Sequence, residues 1–308
     1  MQKLLIIKFG AFGDFISSFR SFAAIRQHFP QAEMTLLTKR PCQSLAIASK
    51  WFNRVWIDDR PAVGQMHQFF SLRARMIAAN FDLVIDLQNT ERTNLYYHLL
   101  IPQQPLWSGG ARGCSNRLSK REQKKHHAID REAAQLAQLG IAPLEQPNLN
   151  WMSRAAGHKN HRITQQTLLL APGYAPAQKT KCWPAERYAE VANRLVERGW
   201  QIILIGTKDD IQHNRRIRRL CHEVRDLTEE TNLVELAMLG QQAGLALGND
   251  NGVMRLLANC GCQSLFLLAD AIAPAAQHVD TLQREDIRLI EVEDVLKMVG
   301  EPILPPQS

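Results

Sequence analysis

The chain has 308 residues, 45% of them apolar and 22% charged, which is enough apolar material for two buried cores and excludes a globally disordered protein. No run approaches the roughly 18 apolar residues needed to cross a bilayer, and the apolar stretch 4–7 is too short for a signal-peptide core, so a cytoplasmic location is expected. The net charge of +7 asks for an anionic partner: a nucleotide, a phosphorylated glycan, an acidic membrane surface or a nucleic acid.

In chain order, residues 4–8 predict a buried strand, followed by the glycine loop Phe9-Gly10-Ala11-Phe12-Gly13. A helix opens near Asp14, with Phe15, Phe19, Phe22 and Ala23 at helical spacing, and stops at Phe29-Pro30. Strands are predicted at 34–38, 54–57 and 81–87, the last with a polar exit at Gln88 and Asn89. Residues 108–127 are rich in glycine and basic side chains, among them Arg112, Arg117, Lys120 and Arg121, and a helix is predicted over 129–139. The polar stretch 153–166 reads as a linker between an N-terminal domain spanning 1–155 and a C-terminal domain spanning 165–308. Beyond it, strands at 167–171, 201–205, 245–248 and 264–268 alternate with helices at 184–198, 211–220, 233–242 and 254–260. That alternation predicts an α/β fold with two doubly wound, Rossmann-like domains. Six cysteines include no C-x-x-C pair, and Cys260-Gly-Cys262 has no further ligands nearby, so thiols in a reducing compartment are expected and a metal site is not.

Ligands of open parallel sheets bind beyond the carboxyl ends of the strands, and three constellations fall there. In Gly10-Ala11-Phe12-Gly13-Asp14 the glycines permit close approach of a ligand, and a carboxylate at a helix start can act as general base. Asp is also a favoured N-cap, and on spacing alone the cap comes first. The loop is not a G-x-G-x-x-G fingerprint, so no nicotinamide cofactor is indicated. Ala171-Pro172-Gly173 is followed by Lys179, Lys181 and the helix start at Pro184, a setting that suits a diphosphate or leaves solvated lysines. Gly248-Asn249-Asp250-Asn251-Gly252 enters a helix whose first amides would face an anion; a plain Asn-Gly turn is the alternative.

Taken together and in this order, these residues resemble the bacterial ADP-heptose:lipopolysaccharide heptosyltransferases, glycosyltransferase family nine. The likeness runs from Lys3 to about Leu268. It is carried by Ile6-Ile7-Lys8-Phe9-Gly10-Ala11-Phe12-Gly13-Asp14, by Asp82-Leu83-Val84-Ile85-Asp86-Leu87-Gln88, and by Lys181-Cys182-Trp183-Pro184, similar to a K-x-W-P motif. Ile203-Leu204-Ile205-Gly206 with Asp210, and Asp250-Asn251-Gly252-Val253-Met254-Arg255, near D-[ST]-G-P-x-H, complete it. The resemblance implies a GT-B fold, two Rossmann-like domains facing a central cleft, and an inverting, metal-independent sugar transfer. It implies Asp14 as the base that activates the acceptor hydroxyl. Gly173, Lys181, Asp210, Asp250, Asn251, Gly252 and Arg255 would hold the donor, ADP-heptose or a similar nucleotide sugar, which is a substrate, so no cofactor is expected. Gly10, Gly13, Arg112, Arg117, Lys120 and Arg121 would meet an anionic glycolipid or oligosaccharide acceptor, with peripheral contact to the inner membrane.

The chain departs from the family where Arg255 replaces histidine, Asn251 replaces Ser or Thr, and Val253 replaces Pro; residues 269–273 lack a glycine-rich turn. Other readings that keep the fold are a different nucleotide-sugar reaction, such as epimerisation, and a non-catalytic relative that binds glycan or a partner. Nucleic-acid binding is not expected, because no aromatic-basic platform is present.

Overall fold

The computed structural model describes residues 2–10, 12–58, 66–119, 128–142, 147, 149, 151–152, 162–173, 182–269 and 279–300. The chain divides into two compact units, Met1–Trp151 and Met152–Ser308. The division falls just ahead of the polar stretch 153–166, of which 153–161 lie outside the described residues.

The first unit holds six parallel strands, β1 (Lys3–Ile7), β2 (Glu33–Thr38), β3 (Arg54–Ile57), β4 (Leu83–Asp86), β5 (Leu106–Gly109) and β6 (Asn116–Arg117), in the order β3-β2-β1-β4-β5-β6. Its helices are α1 (Phe12–Ser17), α2 (Phe19–His28), α3 (Gln43–Ala48), α4 (Met66–Ala79), α5 (Glu91–Leu99) and α6 (Ala128–Ala137). The strand β1 reads Lys-Leu-Leu-Ile-Ile and buries its last four residues. A strand covered by helices on both faces needs this unbroken apolar run rather than alternation. Phe9, Trp56, Tyr96 and Trp107 pack with Leu5, Ile7 and Val84 in one core. A group of rings gathers on α2, where Phe19 meets Trp51 at 5.2 Å and Trp151 at 6.1 Å between centroids.

The second unit repeats the plan with β7 (Thr167–Ala171), β8 (Gln201–Leu204), β9 (Arg225–Asp226), β10 (Leu245–Asn249), β11 (Ser264–Ala269) and β12 (Val279–Arg284), all parallel, in the order β12-β11-β10-β7-β8-β9. The helices are α7 (Ala185–Val196), α8 (Ile211–Leu220), α9 (Leu233–Gln242), α10 (Gly252–Asn259) and α11 (Val292–Val299). Trp183 and Tyr188 are fully buried at the head of α7, their rings edge-to-face at 4.8 Å. The Trp183 indole N–H donates to the carbonyl of Ile290 at 2.9 Å, tying α7 to the approach to α11.

Three expectations need adjustment. The single helix expected from Asp14 to Phe29 is two helices. The Ser18 hydroxyl donates back to the Asp14 carbonyl at 2.9 Å, and such back-bonding bends a helix. The first of them begins at Phe12, so Asp14 lies inside the first turn rather than capping it. The strand expected over 81–87 shortens to Leu83–Asp86, because the Asp86 carboxylate draws the Gln88 and Asn89 amides into a turn at 3.0 and 3.1 Å. Among the described residues no helix is long and apolar enough to cross a membrane.

Candidate functional site

In each sheet the chain changes its direction of growth between the two central strands. From β1 the chain builds outward through β2 and β3, then crosses to the other side for β4 to β6; from β7 it builds through β8 and β9, then crosses for β10 to β12. Loops leaving the two central strands diverge, and the crevice between them is the usual ligand position in open α/β sheets. The loop after β1 carries Gly10 and leads into α1, whose first turn holds Gly13 and Asp14, and the loop after β4 carries Gln88. The loop after β7 carries Gly173, and that after β10 carries Asp250, Asn251 and Gly252.

At the first switch point the Gln88 side-chain oxygen accepts two successive backbone amides, Phe9 at 2.8 Å and Gly10 at 2.7 Å. Lys39 donates to the Gly10 carbonyl at 3.2 Å. A Cβ on Gly10 would lie 2.8 Å from the Asp14 Cβ, so only glycine lets the turn fold back onto this residue. Gly13 is buried, and Asp14 is half-buried in the first helical turn, where helix amides favour a negative charge. Beneath it Lys8 and Glu132 form a buried ion pair at 2.5 Å, and the Ser18 and Ser21 hydroxyls donate to the same carboxylate at 2.8 and 2.6 Å. Asp86 is fully buried; desolvation pushes its carboxyl up to about 6, against the pull of the Thr93 side chain and the Asn89 and Gln88 amides. Arg112 is exposed in the loop after β5 and Arg117 is exposed in the edge strand β6, both toward the carboxyl side of the sheet. Lys120 and Arg121 lie outside the described residues.

At the second switch point two asparagines lace the central strands together. Asn251 donates to the carbonyls of Ala171 and Gly173, both at 2.9 Å, while its oxygen caps α10 through the Met254 amide at 2.9 Å. Asn249 donates to the Pro172 carbonyl at 2.7 Å and accepts from the Tyr188 hydroxyl at 3.1 Å. Asp250 and Arg255 form a bidentate pair at 2.8 and 3.0 Å, so that edge of the guanidinium is engaged within the loop. Gly252 opens α10 and turns its amide end toward the same crevice.

Asp210 is buried, and accepts from the Thr207 amide at 2.8 Å and hydroxyl at 2.9 Å in a capping box. A Cβ on Gly173 would meet the Asp210 carboxylate at 2.6 Å. The structure thus brings Gly173, Asp210, Asp250, Asn251, Gly252 and Arg255 to one end of this sheet. Lys181 lies outside the described residues. Its neighbour Cys182 has a thiol pushed up to about 12 by burial, so it stays protonated at neutral pH and is no nucleophile. Gln88 and Asn249 stand within stretches singled out from the sequence but were given no role there; the signal that assigns one is an amide side chain at the end of the strand beside each switch point.

The sequence profile of glycosyltransferase family 9 (heptosyltransferase) matches residues 69–265, almost two-thirds of the chain. The chain belongs to glycosyltransferase family 9. This glycosyltransferase is 23% identical over 282 residues to lipooligosaccharide heptosyltransferase 2 of Haemophilus ducreyi, covering 83% of the chain and 80% of the relative. It is 25% identical over 290 residues to lipopolysaccharide heptosyltransferase 2 of Escherichia coli, with the same coverage. Among solved structures, a glycosyl transferase family 9 protein of Veillonella parvula aligns with a TM-score of 0.82 at 20% identity, over 96% of this chain and 95% of that one. The E. coli heptosyltransferase WaaC with ADP-2-deoxy-2-fluoro heptose aligns with a TM-score of 0.74 at 16% identity, over 97% and 99%. The likeness places the glycosyltransferase in the GT-B fold. The matched span begins after Asp14, so the reading of that residue rests on its own loop.

Proposed function

We propose that the glycosyltransferase moves a heptose from ADP-heptose onto an anionic lipopolysaccharide-core acceptor in the cytoplasm, with inversion and without metal. Family membership and the names of the relatives support the sugar and the acceptor class. The observation that carries the reading is positional: the turn bearing Asp14 and the loop bearing Gly252 each stand at the switch point of their own sheet.

The chemistry follows from these placements. Asp14 takes the proton of the acceptor hydroxyl as its oxygen attacks the anomeric carbon from the face opposite ADP. The bond from that carbon to the phosphate oxygen breaks, and ADP leaves with the bonding electrons. Its charge is met by the amides at the start of α10, by Lys181 and by Arg255, the type of electrostatic support that dominates many transferase barriers. Gly173 leaves room for the diphosphate beside β7, and Asp210 receives the nucleotide ribose. Gly10 and Gly13 line the acceptor side, with Arg112, Arg117, Lys120 and Arg121 toward its anionic groups.

The test is transfer itself. Purified protein, ADP-heptose and a heptose-deficient lipopolysaccharide core should yield a product heavier by one heptose, with ADP released in equal amount. No product under conditions where ADP binds would remove this donor–acceptor pairing. The second reading, a non-catalytic relative, is favoured by one observation: Asp250 and Arg255 engage each other. Calorimetric titration separates the two, since a functional donor site binds ADP in preference to UDP, GDP and CDP.

A further inference from the structure

Helix α8 carries four arginines, Arg215, Arg216, Arg218 and Arg219, and no acidic residue. Asn214 and Ile217 face the core. At 3.6 residues per turn this aims Arg215, Arg218 and Arg219 outward in one stripe, and all three are exposed. Arg216 pairs with Glu186 on α7. Among the described residues Arg215, Arg218 and Arg219 form no ion pair, whereas the exposed Arg54, Arg284 and Arg288 are paired with Glu33, Asp294 and Asp286. Leu220, at the end of the stripe, is 48% exposed, and its carbonyl is held by the Asn193 side chain of α7 at 3.1 Å. Complementing the helix dipole accounts for arginines in the last turn, but not for Arg215 a turn earlier, nor for an apolar tip left in solvent.

We propose that this face of α8 is where the protein rests on a bilayer of anionic lipids. The stripe is charge-complementary to such a surface, and each arginine held against it contributes within a Debye length. The contact is electrostatic and reads net lipid charge rather than a headgroup, with Leu220 reaching the interface. Its usefulness rests on the transferase reading, in which the acceptor is lodged in a membrane; the contact itself is measured without substrate, so either can fail alone.

The experiment is co-sedimentation of the full chain with extruded vesicles, one set of phosphatidylcholine and one carrying about one-third phosphatidylglycerol. The protein should partition onto the anionic vesicles at low salt, leave them as salt is raised, and ignore the neutral ones. The triple variant Arg215→Gln, Arg218→Gln, Arg219→Gln should partition about a hundredfold more weakly. Arg54→Gln, Arg284→Gln, Arg288→Gln removes the same net charge elsewhere and should partition as the unmodified chain does. Circular dichroism melting of each variant confirms folding. The proposal is overturned if the unmodified chain ignores anionic vesicles at low salt, or if the two triple variants behave alike. It is equally overturned if Arg112→Gln, Arg117→Gln abolishes binding while the α8 variant does not, or if a short RNA duplex displaces the vesicles through the same arginines at matched salt.

Discussion

Asp86 is a carboxyl group with no exposed surface, one oxygen turned to the amides of Gln88 and Asn89. Its pKa of about 6 exceeds that of an ordinary aspartate, so the folded chain holds this proton more firmly than the unfolded chain does. The full contribution to stability is therefore present below about pH 4 and is lost as pH rises to about 6, amounting to about 3 kcal/mol. Asp86→Asn keeps the accepting oxygen and cannot ionise. Urea unfolding across this window should show the stability of the variant gaining on that of the unmodified chain as pH rises; parallel curves would contradict the assignment. Asp14 differs: it is half-buried, lies at a helix start and borders a turn that only glycine can make. Under the proposed role, Asp14→Ala should abolish transfer while the ADP dissociation constant changes less than about twofold, since a base at this position would act on the acceptor alone. Undiminished turnover in that variant would remove Asp14 from the chemistry.

At the scale of elements, the switch points are held by side chains and close backbone approach rather than by ladder hydrogen bonds alone. A Cβ on Gly248 would lie 2.2 Å from the Ala171 carbonyl oxygen and 2.8 Å from the Met254 side chain. Gly248→Ala must push β10 away from β7, and should lower the urea midpoint by the equivalent of about 3 kcal/mol and weaken ADP binding with it. The central strands were legible, because burial on both faces writes an apolar run into local sequence: residues 167–171 coincide with β7. The strands β5, β6, β9 and β12 were not predicted, since β6 and β9 have two residues each and β12 is mostly unburied. The helix 211–220 was legible from its basic, periodic pattern. The lacing was not. Gln88 reaches Phe9 and Gly10 only because β4 lies beside β1, and Asn251 reaches Ala171 only because β10 lies beside β7. Both adjacencies depend on strand order, which spacing along the chain does not state. The pairing of Asp250 with Arg255 was hidden for a similar reason, since a five-residue separation is not a helical-face neighbour.

At the scale of the whole molecule, the same arrangement occurs twice. Each unit has its own sheet and its own buried core, with an amide side chain crossing the gap between its central strands. Separate cores are expected to unfold as separate transitions. If the donor belongs to the second unit alone, ADP at a hundred times its dissociation constant adds about 2.7 kcal/mol to that unit only. Scanning calorimetry should then show one of two transitions rising with ADP and the other fixed, whereas equal movement of both would mean that nucleotide contacts are shared.

Asn251 also sets how the molecule ages. Asparagine followed by glycine, as at Asn251-Gly252, is the pair most prone to cyclise to a succinimide and hydrolyse to aspartate or isoaspartate. While folded, the Asn251 amide is occupied by two carbonyls and its oxygen by the Met254 amide, which keeps it from the backbone nitrogen that would attack. Each unfolding event releases it. The aspartate that forms would set a negative oxygen against the carbonyls of Ala171 and Gly173, so a chain damaged there does not reclose the loop between β10 and α10. Heat-inactivated protein should accordingly carry a one-dalton gain on the peptide containing Asn251, accumulating with time spent unfolded rather than with time stored.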